Sequence, residues 1–268
     1  MTRPLVVCDL DRTLIYSLAA VGDDPPALCC VEQHLGRDVS FITDQAAAHL
    51  ATLRQESEFV PCTTRTREQL ARVRLPGVAP GYAIAANGGH LLLDGASDPS
   101  WQRVVRARLR QSAPLAEVHA KLCVPEHEPW LLRQRIAEDL FCYGIVDRAA
   151  LPEGLLAELA DWTAARGWTV SLQGRKLYFV PRELTKSAAA TELAERLGST
   201  VVLAAGDSLL DTDLLRWADQ AVRPRHGELE LLDWTRPGLH VTAASGVRAG
   251  EELLGWLAEQ ADTYLARA

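Results

Sequence analysis

An apolar run near the start of the chain ends abruptly in two aspartates. Residues 5–8, Leu-Val-Val-Cys, lead directly to Asp9 and Asp11, and Thr13 follows. A short uninterrupted apolar run is typical of a strand buried on both faces of a parallel sheet. A carboxylate at the end of such a strand is unfavourable unless a partner compensates its charge. This stretch therefore predicts either a ligand-binding turn or an ordinary turn that begins with two aspartates, and the downstream sequence has to distinguish them.

Two later predicted strands also end in polar residues. Residues 59–62 stop at Thr63, and residues 200–205 stop at Gly206-Asp207-Ser208. Strands, polar turns and helices alternate in both flanking parts of the chain, which is the pattern of an α/β fold with a doubly wound, mainly parallel, Rossmann-like sheet. Because ligands of such sheets bind outside the carboxyl ends of the strands, we expect these polar residues to converge on one crevice.

The middle of the chain has a different character. Residues 101–123 are rich in helix signals, and the segments after them suit an antiparallel sheet with an amphipathic helix that begins at Pro152. We interpret residues 86–175 as an inserted α+β domain, and residues 1–85 together with 176–268 as the α/β core.

Composition and charge exclude several classes of protein. The 268 residues are 48% hydrophobic and 24% charged, as in ordinary globular proteins, and the net charge of -7 gives no general attraction to nucleic acid. No apolar run approaches the roughly 18 residues of a transmembrane helix, and the first strand begins too early to leave room for a signal peptide. The six cysteines show no metal-ligand spacing. We predict a cytoplasmic protein without a nucleic-acid or membrane partner, and the oligomeric state stays open.

The predicted crevice has the chemistry of phosphoryl transfer. Carboxylates crowded at the strand ends repel one another unless a cation neutralises them, and an all-oxygen ligand set suits Mg²⁺. Lys186 opens the helix before the last of these strands. A lysine and a hydroxyl beside the metal supply what a phosphoryl group needs for charge neutralisation and positioning. We therefore predict a small phosphorylated molecule as the substrate. The carboxylates are those of Asp9, Asp11, Asp207 and Asp211.

Four segments, in this order, resemble the motifs of the haloacid dehalogenase superfamily of phosphohydrolases. The insertion lies between the second and third motifs, as in the capped sugar-phosphatase branch of that superfamily, which includes sucrose-phosphate and mannosyl-3-phosphoglycerate phosphatases. The lysine motif is weak alone, whereas the first and fourth motifs together are specific. The four segments are Asp9-Leu-Asp11-Arg-Thr13, Thr63, Lys186 and Gly206-Asp207-Ser208-Leu-Leu-Asp211.

The resemblance implies a role for each acidic residue. Asp9 would be the nucleophile that forms an aspartyl-phosphate, and Asp11 would protonate the leaving alcohol and then activate water. Mg²⁺ would be held by Asp9, the backbone carbonyl of Asp11 and Asp207. Asp211 would be a further ligand or would orient the others.

The remaining motif residues would bind the transferring phosphoryl group. The resemblance assigns this role to Thr13, Thr63 and Lys186. Simpler interpretations stay open for three positions, because Thr13 could cap the following turn and Lys186 could be a solvated helix lysine. Asp211 could likewise be a carboxylate that favours a helix N-terminus.

The chain departs from the usual motifs beside the two aspartates. Arg12 stands where the first motif normally has glycine, and Thr64 stands where glycine is also common. Arg12 either binds a substrate anion or turns outward. Arg65 and Asn87 are expected to face the junction between the core and the insertion and are candidates for substrate contacts. In the predicted insertion the candidates are Arg175 and, with less support, Arg133 and His127.

Asp11 selects among the activities of the superfamily. Dehalogenase members lack an acid at this position and ion-pumping ATPase members have threonine, so a phosphatase or a phosphomutase is favoured. We predict a Mg²⁺-dependent phosphohydrolase of a small organic phosphate monoester, above all a sugar phosphate. The alternatives are a phosphomutase with the same aspartyl-phosphate, a nucleotide phosphatase whose tryptophans stack on a base, and a non-catalytic phospholigand-binding module.

Overall fold

The computed structural model describes residues 3–77 and 80–267. The chain divides into two compact units, of which the first comprises Met1–Asp98 with Lys186–Ala268 and the second comprises Pro99–Thr185. None of the described helices is both long enough and apolar enough to cross a membrane.

The strands and helices are numbered along the chain. The strands are β1 (Leu5–Cys8), β2 (Leu28–His34), β3 (Arg37–Thr43), β4 (Glu58–Pro61), β5 (Tyr82–Ala85), β6 (His90–Leu93), β7 (Ala96–Ser97), β8 (Leu131–Ala137), β9 (Phe141–Val146), β10 (Trp168–Gln173), β11 (Lys176–Pro181), β12 (Val202–Ala205), β13 (Gln220–Arg223) and β14 (Leu239–Val241). The helices are α1 (Asp44–Glu56), α2 (Arg67–Leu70), α3 (Pro99–Leu109), α4 (Leu115–Leu122), α5 (Leu155–Ala164), α6 (Lys186–Leu197), α7 (Thr212–Trp217), α8 (Glu228–Leu231) and α9 (Val247–Arg267).

The first unit is built on a parallel sheet with the strand order β14-β13-β12-β1-β4. The central strand β1 is fully buried along its length. Successive strand side chains point to opposite faces, so both faces of the sheet are covered. On one face, Val6 shares a hydrophobic cluster with Leu50 of α1 and Leu253 of α9. The predicted α/β fold with a mainly parallel sheet is confirmed.

The strand order places three carboxyl ends side by side. The register pairs Cys8 with Ala205 of β12 on one side and with Pro61 of β4 on the other. The segments that follow these residues therefore begin at the same level of the sheet edge. Since carboxyl ends of neighbouring parallel strands form the ligand crevice of such folds, this register decides where the motif residues meet.

The segment predicted as a third core strand belongs mainly to a small sheet of its own. β5 pairs antiparallel with β6, and β6 pairs with β7. An isolated parallel bridge between Cys62 and Ile84 connects β5 to the edge of the main sheet. This arrangement explains why the first unit extends to Asp98 and not only to residue 85.

The second unit is an antiparallel sheet with the order β10-β11-β9-β8. α4 packs on β9 and α5 packs on β10. Because β11 pairs along its length with β10, it belongs to this unit, whereas the sequence placed residues 176–181 in the core. Trp101, Trp130 and Trp168 are almost completely buried, so these three rings serve packing and offer no surface on which a base could stack.

Candidate active site

The strand ends bring the predicted motif residues together in the first unit. Asp9 follows β1, Thr63 lies just beyond β4 and Asp207 lies just beyond β12, and all three are buried. Backbone hydrogen bonds tie these segments together: the Asp9 amide donates to Ala205 O at 3.0 Å, and the Thr63 amide donates to Ile84 O at 2.9 Å. The crevice predicted from the strand endings therefore exists, with carboxylates and a hydroxyl at one edge of the sheet.

Asp9, Asp207 and Asp211 form a buried acidic cluster. Each offers a carboxylate oxygen, and the three oxygens lie within 4.8 Å of one another. In the part of the chain that the structure describes, Lys186 is the side chain that bonds Asp9, through Oδ1, and the Asp207 carboxylate meets the guanidinium of Arg12 at 3.6 Å. Hard oxygen ligands at this spacing suit Mg²⁺. The donor set therefore fits a magnesium ion held by Asp9 and Asp207.

Asp211 is engaged by protein donors. Its Oδ2 accepts from the Asp207 amide at 3.2 Å, the Ser208 amide at 3.0 Å and the Ser208 hydroxyl at 2.7 Å, and its Oδ1 accepts from Lys186 at 2.5 Å. Ser208 and Asp211 form a reciprocal capping box at the turn before α7. A carboxylate with four donors orients the loop that carries Asp207. The arrangement favours Asp211 as a support for the metal ligands, one of the two roles that the resemblance left open.

Lys186 is the cation at the centre of the cluster. It is the first residue of α6, has no exposed surface, and donates from Nζ to Asp9 Oδ1 and to Asp211 Oδ1, each at 2.5 Å. Burial alone lowers the pKa of a lysine, but the Asp211 and Asp9 carboxylates outweigh it and hold the pKa of Lys186 well above its usual value. The solvated helix lysine considered from the sequence is excluded, since the ammonium is fully buried.

The cluster carries more negative charge than its cations balance. Burial raises the pKa of Asp9 from 3.8 to about 7, against the attraction of Lys186 and with the help of repulsion from Asp211. Burial, and then repulsion from Asp9 and Asp211, also raises the pKa of Asp207 well above its usual value. Both shifts have the direction expected for buried carboxyls that lie beside one another, and a divalent cation would offset the repulsion between them.

This imbalance predicts a pH-dependent response to Mg²⁺. A carboxyl whose folded pKa is raised from 3.8 to about 7 binds its proton more tightly in the folded state, so its contribution to stability falls as pH rises through that window. We expect the metal-free protein to be destabilised between these pH values relative to the Asp9→Asn variant. Mg²⁺, which competes with protons for the carboxylates, should raise the melting temperature more at about pH 8 than at about pH 5. Thermal denaturation of both proteins with and without Mg²⁺ measures this, and an equal effect of Mg²⁺ at both pH values would contradict it.

Asp11 lies beside the cluster, and its carboxylate is held by an arginine. Arg65 donates to Asp11 from Nε and from Nη2, each at 2.8 Å, which is a bidentate ion pair. The Arg65 side chain is buried and the Asp11 side chain is 35% exposed. The Arg65 guanidinium therefore orients Asp11, and the predicted contact of Arg65 with substrate stays a prediction.

Arg12 has an unusual backbone conformation at the mouth of the site. Its φ of 67° lies in the left-handed region, which a residue with a long side chain rarely adopts. His226 Nε2 donates to the Arg12 carbonyl at 2.7 Å, and His226 Nδ1 accepts from the Gly246 amide at 3.2 Å. Because one ring nitrogen donates and the other accepts, the imidazole that holds this turn is neutral. The half-exposed Arg12 guanidinium turns toward Asp207 and not away from the site.

Gly227 closes the other side of Asp207. Its φ is +90°, and a Cβ added there would lie 2.4 Å from Asp207 Oδ2. The backbone of this loop therefore approaches the carboxylate more closely than any other residue type allows. The Leu229 amide also donates to Asp207 O at 3.0 Å, which fixes the loop against the end of β12.

The remaining first-unit candidates also lie near the motifs. Thr13 is fully buried, and its hydroxyl has no hydrogen-bond partner among residues 3–77 and 80–267. That finding removes the turn-capping interpretation. The hydroxyl of Thr63 accepts from the Arg65 amide at 3.1 Å. Asn87 is buried, and its backbone amide donates to Thr63 O at 2.9 Å. Asn87 therefore lies next to the second motif.

The candidates in the second unit are less specific. Arg175 lies exposed in the turn between β10 and β11, and Arg133 lies exposed on β8. His127 is buried, its Nδ1 lies 3.0 Å from Leu122 O, and its ring lies 4.5 Å from that of Trp130. His127 is therefore a packing residue, and a substrate role for the two arginines stays a prediction.

Comparison with known proteins places this site in a recognised fold. No family model matches the chain, and no curated protein sequence matches it. Among solved structures, the sucrose-phosphatase of Synechocystis, in complex with sucrose and phosphate, is 18% identical and aligns over 96% of this chain and 98% of its own, with a TM-score of 0.67.

Two further solved structures show the same likeness. The C-terminal domain of the trehalose-6-phosphate phosphatase of C. albicans is 14% identical over 97% of this chain and 93% of that chain, with a TM-score of 0.54. A phosphatase of the haloalkanoate superfamily from Bacteroides thetaiotaomicron is 12% identical over 96% and 95%, with a TM-score of 0.56. The fold implied by the motif resemblance is confirmed: this chain has the fold of the sugar phosphatases of the haloacid dehalogenase superfamily.

Proposed function

We propose that the protein is a Mg²⁺-dependent phosphohydrolase that cleaves a sugar phosphate through an aspartyl-phosphate on Asp9. The observation that carries the proposal is the buried Asp9 carboxylate, which lies at a strand end with Lys186 on one oxygen and an acidic cluster beside it. The shared fold supports the same assignment, since sugar phosphatases are among the solved structures that resemble the chain.

In the proposed reaction each residue performs one step. The Oδ2 atom of Asp9 attacks phosphorus, and the P–O bond to the sugar oxygen breaks. Asp11, which has to be protonated at this step, gives its proton to that oxygen, and its carboxylate then takes a proton from the water that hydrolyses the aspartyl-phosphate. Thr63, Thr13 and Lys186 hold the oxygens of the transferring group. Asp9, Asp207 and the Asp11 carbonyl would hold Mg²⁺, which when bound would neutralise charge on the phosphoryl oxygens.

After the sugar has left, release of the phosphate needs water to reach the aspartyl-phosphate. If the sugar re-entered and took the phosphoryl group at another hydroxyl, the same residues would perform a mutase reaction. The sugar-phosphatase fold favours hydrolysis, and the product distribution decides between the two.

A phosphate-release screen tests the proposal. Sugar, nucleotide and glycerate phosphates are incubated with the purified protein with Mg²⁺ and with a chelator, and inorganic phosphate and sugar-phosphate isomers are both measured. We expect phosphate release from a sugar phosphate that requires Mg²⁺. Turnover that persists in the chelator, or isomer formation with little free phosphate, would refute hydrolysis by this mechanism.

A further inference from the structure

A buried glutamate outside the predicted motifs is connected to the site by hydrogen bonds. Glu32 of β2 is 2% exposed. Its Oε2 accepts from the Ser40 hydroxyl at 2.7 Å and from Arg65 Nη1 at 2.8 Å, and its Oε1 accepts from Arg72 Nε at 3.2 Å. The same Arg65 holds Asp11 through its other two donor nitrogens. Glu32 is thus linked to Asp11 through a single guanidinium.

The local structure of the hairpin aims Glu32 inward. In a regular strand alternate residues point to one face, yet Val31 and Glu32 are both buried. The pairing of β2 with β3 shifts register on both sides of Glu32, and a bulge of this kind redirects a side chain. The Glu32 carboxylate therefore reaches donors on three segments that are separate in sequence, at Ser40, Arg65 and Arg72.

The charges of the network are balanced in pairs. Asp11 and Glu32 supply two carboxylates, and Arg65 and Arg72 supply two guanidiniums. Arg65 uses Nε and Nη2 for one carboxylate and Nη1 for the other, so both edges of its planar group are fixed. Because Glu32 anchors one edge of the guanidinium, the edge that bonds Asp11 keeps a fixed orientation. A side chain that donates a proton has to be held in such a fixed position relative to the substrate.

We propose that Glu32 is a positioning residue for Asp11, acting through Arg65. The inference rests on the proposed function, because Asp11 transfers a proton only if the chain hydrolyses a phosphate monoester. Glu32 fixes the guanidinium plane, the guanidinium fixes the Asp11 carboxylate, and the carboxyl then faces the oxygen of the departing alcohol. A residue that only fastened the β2–β3 hairpin would affect stability without regard to the leaving group.

Leaving-group dependence separates the two roles. An alkyl oxygen needs a proton as it departs, whereas 4-nitrophenolate leaves without one. We expect Glu32→Gln to lower kcat/KM for the best sugar phosphate by about 30-fold, since a positioned general acid contributes roughly 10²–10⁴-fold. For 4-nitrophenyl phosphate the loss should stay within about threefold. Glu32→Asp, which keeps the charge but shortens the reach, should fall between wild type and Glu32→Gln.

The control and the contrary outcomes are defined by the same two substrates. Glu251→Gln changes another glutamate that accepts a hydroxyl, Thr43 Oγ1 at 2.9 Å, and it should leave both rates unchanged. If Glu32→Gln fails to fold, Glu32→Asp decides. Equal losses on both substrates, or no loss, would overturn the positioning role. A wild type that hydrolyses neither substrate would instead overturn the proposed function.

Discussion

The Asp9→Asn variant should keep its fold and lose sugar-phosphate hydrolysis by a factor on the order of 10⁴ or more, the scale on which removal of a nucleophile acts. The amide has the shape of the carboxylate, but it cannot form the acyl-phosphate bond. Lys186 still bonds Asp211 at 2.5 Å, so the cluster keeps its internal cation. Phosphate release and trapping of a radiolabelled phosphoenzyme measure the loss.

The stability of this variant separates a chemical defect from a folding defect. Burial raises the pKa of Asp9 to about 7, so its charged form is unfavourable at neutral pH without metal. A neutral amide should therefore leave the melting temperature unchanged or raise it. Asp219→Asn is the matched control, because Asp219 Oδ2 accepts from the Val202 amide at the opposite end of β12. If Asp9→Asn still formed a phosphoenzyme, or if both variants lost activity equally, Asp9 would not be the nucleophile.

The sequence was sufficient to predict the residues whose signals are local. Asp9, Thr63 and Asp207 each follow an apolar strand, and this pattern is visible within ten residues of each. The α/β alternation predicts a parallel sheet, and the observed order places β1 between β12 and β4, so that their carboxyl ends meet. The strands and their polar ends are therefore predictable from the sequence, whereas the strand order and register that bring them together come from the structure.

Two polar residues near the site were missed because their signals are not local. Glu32 is buried through a bulge and is paired with Arg65 across 33 positions of sequence. His226 reaches the Arg12 carbonyl across 214 positions. Neither lies in a motif, and a lone glutamate or histidine is common on protein surfaces. The left-handed φ at Arg12 is equally invisible in the sequence, although the missing glycine marked the position as unusual.

The domain boundaries show a related limit. The turn chemistry near residues 86–89 predicts that the insertion begins there. In the structure β6 and β7 continue the sheet of β5, and the chain passes from the first unit to the second after Asp98. Hairpin pairing connects strands that composition alone assigns to different domains, so the boundary is decided by hydrogen bonds and not by a change in sequence character.

Lys186→Met should destabilise the metal-free protein by about 3–5 kcal/mol at a pH above 7, the typical effect of removing one partner from a buried ion pair. The ammonium has no exposed surface and lies 2.5 Å from one oxygen each of Asp9 and Asp211. Without it the buried carboxylates of Asp9 and Asp211 have no lysine between them, although Asp211 keeps its three donors from Asp207 and Ser208. Below about pH 5 Asp9, whose pKa is raised to about 7, is protonated and the loss should shrink, because its repulsion with Asp211 disappears. Urea denaturation at the two pH values measures the difference.

The same variant also separates structure from catalysis. Mg²⁺ should restore part of the stability of Lys186→Met, because it supplies charge to the same cluster, but it should not restore hydrolysis, since the phosphoryl oxygens have lost their ammonium partner. Lys121→Met is the control: its Nζ lies 3.5 Å from a mostly exposed Glu158, and such pairs contribute about 0–1 kcal/mol. If Lys186→Met were as stable as this control at both pH values, the prediction would be wrong, because the acidic cluster would then not need the charge of its lysine.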